Sequence, residues 1–371
     1  MNLTQKIKKQ ASSIGFDLIG ITDGKPLERA YKRLQERKQQ NKISSFVTRD
    51  IKQLTHPHLH LPSVKSIIAL GMSYANSESY TDEDMYIADY ARGKDYHLIF
   101  QERMELLEKY IKKQVPDVKM IAYADTGPLL DREIAWKAGL GWFGKNNNII
   151  NSRYGSYLLL GEILTDLQLE YDSPIKEQCG ICEKCLLSCP GEALVESRKL
   201  DPDKCISYLT QKKGILSETE REKIGKNLWG CDICQKVCPY NQKILKDLNP
   251  ELKPVLKGNI NKVLNFTKNN FPESWKNSAL SWRGLRILKR NTLINIANQK
   301  RTDLVDDIKP FLYDPSPIIR GYTVWVIGKL APEEAVKLLS EVKQKEKDKL
   351  VIQEILNVLN NSNQKDSIWK K

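Results

Sequence analysis

The sequence predicts an α/β amino-terminal domain, a cysteine-rich middle segment and an all-α carboxyl-terminal third. Short apolar runs alternate with helical periodicity up to about residue 165, all eight cysteines fall between residues 179 and 238, and only helical patterns follow residue 241. We therefore predict three domains with the boundaries 1–165, 166–245 and 246–371.

The first domain is predicted to begin with a helix and to alternate from there. The assignments rest on apolar spacing of 3.6 residues for helices and on short apolar runs for strands. Strands are predicted at residues 16–21, 64–70 and 118–124, and helices at 3–14, 97–114 and 129–140. The polar tract 166–178, which contains Pro174, is predicted to be a linker.

The cysteine spacing is that of a bacterial two-cluster ferredoxin. A Cys-x2-Cys-x2-Cys-x3-Cys-Pro run is followed by an isolated cysteine and a Cys-x2-Cys-x3-Cys-Pro run. In this pattern the last cysteine of each run crosses to the other cluster. One 4Fe-4S cluster is thus expected to take Cys179, Cys182, Cys185 and Cys238, and the other Cys189, Cys205, Cys231 and Cys234. Paired zinc sites are the alternative, although the triple run and two Cys-Pro endings are unusual for zinc.

The carboxyl-terminal third is basic and contains a helical repeat. Residues 241–371 carry 24 Lys or Arg against 14 Asp or Glu, within a chain of formal charge +13. This indicates a polyanionic partner, unless it is only a solvated basic surface. Residues 290–297 match residues 320–327 in their apolar positions, which favours a short HEAT-like repeat.

Four tracts outside the cysteine runs resemble the epoxyqueuosine reductase family. They are Tyr90 to His97, Ala124 to Pro128, Ala138 to Asn146 and Cys205 to Gln211. Together with the cysteines and the basic tail, the likeness covers nearly the whole chain. Members of this family are cobalamin-dependent iron–sulfur oxidoreductases, related to reductive dehalogenases, that reduce epoxyqueuosine to queuosine at the wobble position of tRNA.

The resemblance implies that the α/β domain binds cobalamin and that Asp125 is the proton donor. A carboxylic acid whose pKa is raised by a water-poor site suits that role. From the residues alone, Asp125 is better explained as a cap of the following helix. The resemblance also implies cofactor contacts for a set of residues along the chain. They are Asp125, Ile149, Asn151, Leu160, Ser207, Cys231 and Asp232.

The cobalt is expected to lack a protein histidine ligand. The nearest match to Asp-x-His-x-x-Gly is Asp95-Tyr96-His97, and Phe100 stands in place of its glycine. Leu54 stands where some members have a basic residue, so a corrinoid contact there is in doubt. Three alternating histidines, His56, His58 and His60, are interpreted as surface loop residues rather than metal ligands.

The predicted partner is the tRNA anticodon stem-loop, held mainly by cations on its phosphates. The substrate-binding set is Gln211, Lys213, Arg283, Arg286, Arg290 and Arg320. An external low-potential donor is expected to supply electrons. Because no stretch is long and apolar enough to span a membrane and the amino end lacks a signal peptide, we expect a cytoplasmic protein, and we expect it to be a monomer.

Two other functions remain open at this point. A corrinoid reductase of a small molecule would share the cofactors but would have no use for a basic helical repeat. A non-catalytic electron-transfer module, docking an acidic protein on the repeat, would contain iron and sulfide without cobalamin.

Overall fold

The computed structural model describes residues 1–78 and 83–368, with side chains described as far as residue 360. The described residues form two compact units. The first comprises residues 1–78, 89–205 and 232–255, and the second comprises residues 83–88, 206–231 and 256–368. The three domain boundaries predicted above stay a prediction.

Helices occur along the whole described chain. They are α1 (Leu3–Ile14), α2 (Glu28–Gln39), α3 (Ile51–Thr55), α4 (Tyr96–Gln114), α5 (Asp131–Lys137), α6 (Lys184–Leu187), α7 (Ile206–Leu209), α8 (Glu218–Ile224), α9 (Ile233–Lys236), α10 (Ile260–Leu264), α11 (Glu273–Lys276), α12 (Leu285–Asn298), α13 (Val305–Ile308), α14 (Pro317–Leu330), α15 (Pro332–Lys345) and α16 (Lys349–Ile368). Among the described residues, no helix combines the length and the apolar character that crossing a membrane requires.

Most of the strands among the described residues are short, and three of them have six or more residues. The strands are β1 (Leu18–Asp23), β2 (Ser66–Ser73), β3 (Tyr86–Ile87), β4 (Met120–Ala124), β5 (Trp142–Phe143), β6 (Ile149–Ile150), β7 (Leu158–Thr165), β8 (Leu194–Glu196), β9 (Lys199–Leu200) and β10 (Asn227–Trp229).

The first unit is built on a four-stranded antiparallel sheet of order β1-β2-β7-β4. All eight residues of β2 are buried, as expected for a central strand covered on both faces. Helices α1 and α4 pack against one face, and α5 packs against the other. The predicted α/β layering of this part of the chain is therefore present.

The alternation of β7 decides which side chains reach each layer. A Cβ on Gly161 would lie 2.7 Å from Met104 Cε and 2.9 Å from Phe100, both on α4. Since neighbouring strand residues point to opposite faces, Glu162 points toward α5. Leu160 and Leu164, which share that orientation, pack in the core cluster that also contains Ile134 of α5.

The predicted elements of this unit are present with shifted ends. Helices α1 and α4 match the predictions to within one residue. Helix α5 is shorter than the predicted 129–140, because it begins after Leu130 and stops before Gly139, whose φ of +74° is left-handed. Apolar spacing continues through both flanking loops because Leu129 and Leu140 are buried there without being helical.

The cysteine segment of the first unit contains two short helices, α6 and α9, that pack against each other. Strands β8 and β9 form a hairpin after α6. Behind α9, Asn241 donates to Gln235 O at 2.7 Å and to Ser156 Oγ at 2.9 Å, and it accepts from Ser156 N at 2.7 Å. Gln235 in turn bonds Tyr74 Oη at 3.1 Å, so a buried polar network fixes this end of the segment.

The second unit is helical, apart from the small parallel pairing of β3 with β10 among its described residues. Helices α12 and α14 contain the two matching tracts 290–297 and 320–327, and they pack against each other. Helix α16 packs against both α14 and α15. The expected run of helices after residue 241 is thus observed, and the finer HEAT-like assignment stays a prediction.

Candidate active site

Asp125 directly follows the carboxyl end of β4, in a sharp turn. Its φ of +53° is left-handed, a conformation that Asp tolerates better than most residues. The chain then passes so close to β4 that a Cβ on Gly127 would lie 2.5 Å from Tyr123 Cβ. Because α5 begins only after Leu130, Asp125 is not its cap, and the capping interpretation is wrong.

The Asp125 carboxylate meets two side chains from the first turn of α4. Tyr96 Oη donates to Asp125 Oδ2 at 2.6 Å, and His97 Nε2 lies 3.6 Å from the same oxygen. The other ring nitrogen of His97, Nδ1, lies 2.7 Å from Asp95 Oδ1. Asp95 also caps α4 through the His97 backbone N–H, so a single carboxylate fixes both the helix start and the imidazole.

This arrangement determines the protonation of both partners. Burial alone would lower the pKa of His97, but the nearby Asp125 carboxylate and the hydrogen bond with Asp95 raise it to about 9. Burial would raise the pKa of Asp125, but the nearby His97 ring and the hydrogen bond from Tyr96 outweigh it and lower that pKa below its ordinary value. The expectation of a raised pKa at Asp125 is therefore wrong, because two donors stabilise its ionised form.

Asp125 borders a cavity of about 360 Å³ in the first unit. Its side chain is 59% exposed, which leaves the carboxylate accessible from the cavity. The remaining wall is mostly apolar, with a few polar groups at the start of α5. The lining residues are Tyr96, Asp125, Leu129, Leu130, Asp131, Arg132, Asn148, Leu158, Leu159 and Leu160.

The predicted cofactor residues of the first unit have different surroundings. Leu160 lines the cavity with Asp125. Ile149 is 2% exposed and packs in the core beside α5. Asn151 donates to Leu140 O at 2.7 Å and accepts from Arg153 N at 2.9 Å, so its amide is engaged in holding the loop. Asp232 is buried and accepts from the backbone N–H of Asp89 at 2.8 Å.

Two further predicted cofactor residues, Ser207 and Cys231, belong to the second unit. Ser207 lies near the start of α7, and its backbone carbonyl accepts hydrogen bonds from Thr210 Oγ1 and Gln211 Nε2, each at 2.9 Å. Both Ser207 and Cys231 are partly exposed. Their roles toward a cofactor stay predictions.

The cysteines of the first predicted cluster lie together. None of the eight cysteines, all of which are described, is in a disulfide. Burial first, and then the nearby Cys238 and Cys179, raise the pKa of the Cys185 thiol to about 11. Burial raises the pKa of the Cys238 thiol, and the nearby Cys179 and Cys182 raise it further. Cys238 also packs with Cys179 around Trp142. These thiols lie near one another, but among the described residues no group of three or more candidate ligands is arranged to hold a metal ion, so their assignment to one cluster stays a prediction.

Two of the predicted phosphate-binding arginines are already bound within the second unit. Arg290 is fully buried, and its guanidinium donates to Lys212 O at 2.5 Å and Leu209 O at 3.0 Å. The prediction that Arg290 binds the substrate is therefore wrong, because a phosphate cannot reach this buried, structural residue. Arg320 forms a two-point ion pair with Glu346 at 2.6 and 2.8 Å, which compensates its charge.

The remaining members of the predicted substrate set are also in the second unit. Arg286 and Lys213 are exposed. The Arg283 guanidinium lies over the Trp282 ring at 3.5 Å, a cation–π geometry. Gln211 is 8% exposed and accepts from Trp282 Nε1 at 3.2 Å. Arg286 and Lys213 are consequently the members best placed to meet a polyanion.

The partners of Asp125 were not predicted from the sequence, and neither were two further carboxyl groups near the cavity. Tyr96 and His97 belong to a tract that stood out, but His97 was considered only as a cobalt ligand. Asp131 was passed over as part of a predicted helix. Glu162 carried a signal, because a single acidic residue interrupts the apolar run of β7, and charged residues are almost never fully buried without a reason. The three alternating histidines stay a prediction, and one of them, His60, lies 2.7 Å from Gln53 O.

Two family descriptions match the chain. Residues 55–126 match "Epoxyqueuosine reductase QueG, DUF1730", a range that includes Asp95, Tyr96, His97 and Asp125. Residues 178–241 match "4Fe-4S double cluster binding domain", which contains all eight cysteines.

Curated relatives and solved structures match over almost the full chain. Epoxyqueuosine reductase of Bacillus cereus is 36% identical over 95% of this chain and 96% of its own length. The Bacillus subtilis protein is 36% identical over 93% of this chain and 92% of its own length.

Two solved structures extend the comparison to three dimensions. Epoxyqueuosine reductase with an epoxyqueuosine-modified tRNA-Tyr stem loop superposes with a TM-score of 0.93 at 34% identity, covering 96% of this chain and 98% of that one. The Bacillus subtilis enzyme, with its catalytic aspartate loop swung out of the active site, gives 0.91 at 35% identity with the same coverage. The chain therefore belongs to the epoxyqueuosine reductase family.

Proposed function

We propose that this protein reduces epoxyqueuosine to queuosine at the wobble position of tRNA. The observation that carries the proposal is the constellation of Asp125, Tyr96 and His97 at the cavity, in a chain that also contains the double-cluster cysteine pattern. The curated relatives are named for this activity, and one solved relative holds a modified tRNA stem loop.

The residues present fit the cofactors that this reaction needs. Eight cysteines with the two-cluster spacing would hold two 4Fe-4S clusters, in the two sets of four given above. Leucines 129, 130, 158 and 160 give the cavity an apolar wall that suits the edge of a corrin ring, with Asp125 as the acid beside it. When bound, cobalamin would supply the low-potential reducing centre that delivers electrons to the epoxide.

The protein's own part in the reaction is to hold and move protons. Opening the epoxide and releasing its oxygen as water consumes two electrons and two protons. His97, charged at neutral pH, and Asp125 together carry one mobile proton at the cavity. Tyr96 fixes the Asp125 carboxylate at 2.6 Å, so the proton is presented from a defined position.

The tRNA is proposed to bind through its anticodon stem-loop. A wobble base must leave its stack to reach a buried centre, at a cost of a few kcal/mol that phosphate contacts offset. Arg286 and Lys213 are exposed cations that suit such contacts. The electron donor is proposed to be an external low-potential redox partner.

The deciding experiment is anaerobic reconstitution with iron, sulfide and cobalamin, followed by assay on tRNA that carries epoxyqueuosine. We expect queuosine from the native protein, and a fall in rate of about 10²- to 10⁴-fold for Asp125→Asn with cofactor loading unchanged. Asp17→Asn, a change of the same kind outside the cavity, is the control. A protein that takes up iron but no cobalamin would instead favour the electron-transfer module.

A further inference from the structure

A buried carboxyl group lies behind the proposed proton donor. Glu162 is 0% exposed, in the middle of β7, on the sheet face that α5 covers. Its neighbours on that face, Leu160 and Leu164, are apolar. Neither of its side-chain oxygens has a hydrogen-bond donor among the described residues. An ionised carboxylate in such a place would be strongly destabilising, so Glu162 needs a proton.

Asp131 is the group that shares this problem with Glu162. It lies in the first turn of α5 and lines the cavity with Asp125. Its Oδ1 is buried and likewise lacks a donor among the side chains and backbone that the structure describes. Two carboxyl groups in contact satisfy each other when one carries a proton and donates it to the other.

The titration behaviour of the two groups agrees with this geometry. Burial first, and then repulsion from Asp131, raise the pKa of Glu162 far above its ordinary value. Burial, partly offset by the hydrogen bond with Glu162, raises the pKa of Asp131 to about 7. The pair therefore titrates as a unit and keeps one proton at neutral pH.

The charged and titratable groups around the pair come from three elements. Asp125 repels it from the turn after β4, and Arg132 of α5 partly compensates its charge. Tyr123 is paired directly opposite Glu162 in the β4–β7 register. Asp125 lies two residues after Tyr123 in the sequence. The carboxyl pair and Asp125 therefore border the same side of the sheet.

We propose that Asp131 and Glu162 together store one proton and pass it through Asp125 to the departing epoxide oxygen. This inference rests on the proposed function. The full reduction breaks two C–O bonds, forms one C=C bond and releases water, using two electrons from the reduced clusters and two protons. One proton comes from the His97–Asp125 pair and the second from the Asp131–Glu162 pair. The doubly ionised pair then regains its proton from water in the cavity.

The first test measures the stored proton directly, without turnover. Infrared titration of the full, anaerobically loaded protein should reveal a protonated carboxyl band that loses part of its intensity near pH 7, where Asp131 ionises, and keeps the remainder at higher pH, where Glu162 holds the stored proton. Glu162→Gln should remove the part that persists at high pH, and Asp131→Asn should remove the step near pH 7 and lower the pH at which Glu162 ionises, because repulsion from Asp131 is lost. Glu108→Gln is the matched control, because Glu108 also has a pKa raised by burial but lies on α4, away from the cavity lining.

The second test measures proton delivery as a pH profile of single-turnover reduction, with dithionite-reduced clusters and epoxyqueuosine-bearing tRNA. At pH 8 both variants should react about tenfold or more slowly than native protein, and at pH 6 the difference should shrink because solvent protons reach Asp125 directly. A purely structural role would lower the rate equally at both pH values.

The outcomes separate the two proposals. Variants with the native pH profile, or a high-pH carboxyl band that survives Glu162→Gln, would overturn the proton store. Native protein that loads its cofactors and yet leaves epoxyqueuosine unreduced at every pH would instead overturn the proposed function, and the infrared result would still decide whether the pair shares a proton.

Discussion

The protonation of Asp125 depends on the neighbours that hold its carboxylate. An isolated acid in an apolar pocket keeps its proton, but Asp125 accepts from Tyr96 at 2.6 Å and faces a His97 ring that is charged at neutral pH. The resting site is therefore better described as a carboxylate–imidazolium pair than as a neutral acid. Its proton is available at once, but only one proton is available from it.

Removing the Tyr96 hydroxyl should raise the pKa of Asp125. In Tyr96→Phe the hydrogen bond that stabilises the ionised Asp125 carboxylate is lost, so its pKa should move upward. Carbon-13 NMR of labelled aspartate follows the carboxyl directly. Tyr110→Phe, on the same helix, should leave it in place, and an unchanged or lower pKa in Tyr96→Phe would contradict the assigned role.

Replacing Asp95 should lower the pKa of His97, so that the imidazole loses its charge at a pH closer to neutrality. Asp95→Asn keeps an efficient helix cap but removes a negative charge 2.7 Å from Nδ1, so the pKa of His97 should fall from about 9. Proton NMR of the imidazole measures this fall.

The same substitution has a consequence for stability. Because the folded-state pKa of His97 is raised above its ordinary value of 6.5, its contribution to stability is complete below that pH and is lost as the pH rises through about 9. Denaturant midpoints should therefore decline over this window in the native protein and decline less in Asp95→Asn. Equal slopes for both proteins would count against the ion pair.

At the scale of elements, a buried arginine of helix α12 fixes that helix to the loop that follows α7. Arg290 donates to the carbonyls of Leu209, Thr210 and Lys212, and the neighbouring Asn291 donates to Thr210 O and Leu228 O. These bonds stabilise the loop that carries Gln211 and Lys213. A residue that looks like a nucleic-acid contact in the sequence is thus part of the interior of its unit.

Arg290→Met should destabilise the protein by about 3 kcal/mol, because several buried carbonyls lose their donor. Arg286→Met, one turn earlier and exposed, should change the free energy of unfolding by less than about 0.5 kcal/mol. Urea unfolding of the two variants measures the difference. Similar losses for both would show that the buried network contributes little.

The sequence predicted those elements whose boundaries are marked by local chemistry. Helix α1 has the capping box of Asn2 and Gln5 at one end and Gly15 at the other, and its limits were predicted correctly. The ends of α5 were not, because Leu129 and Leu140 are buried in loops and continue the helical spacing. Apolar periodicity reports burial, and only backbone geometry tells whether a buried residue is helical.

The candidate site was predictable only in part for a similar reason. Spacing along the chain identified the cysteines, and the resemblance to the family identified the tract around Asp125. The contact of Asp125 with His97, and the facing of Asp131 and Glu162, join residues brought together by strand pairing and helix packing. Solvent exposure was equally hidden, which is why Arg290 and Arg320 were counted with Arg286.

For the whole molecule, tRNA affinity should fall steeply with salt, because cations displace counterions from the phosphates. Arg286→Glu and Lys213→Glu should each reduce the slope of log K against log salt by roughly 0.7 to 0.9. Arg320→Ala should alter it far less, since Glu346 already compensates that charge. Filter binding over a salt series tests this, and a slope unaffected by either reversal would remove both residues from the interface.

The polar network behind α9 has a consequence for how the protein ages in air. Cys238 is buried, and the Asn241, Ser156, Gln235 and Tyr74 bonds hold the chain immediately around it. Cys182 lies in a loop and Cys185 in α6, and their neighbours Ile181 and Leu187 are 101% and 84% exposed. Oxidative damage should therefore begin at Cys182 and Cys185, and Cys238 should be the last of these cysteines to lose its iron.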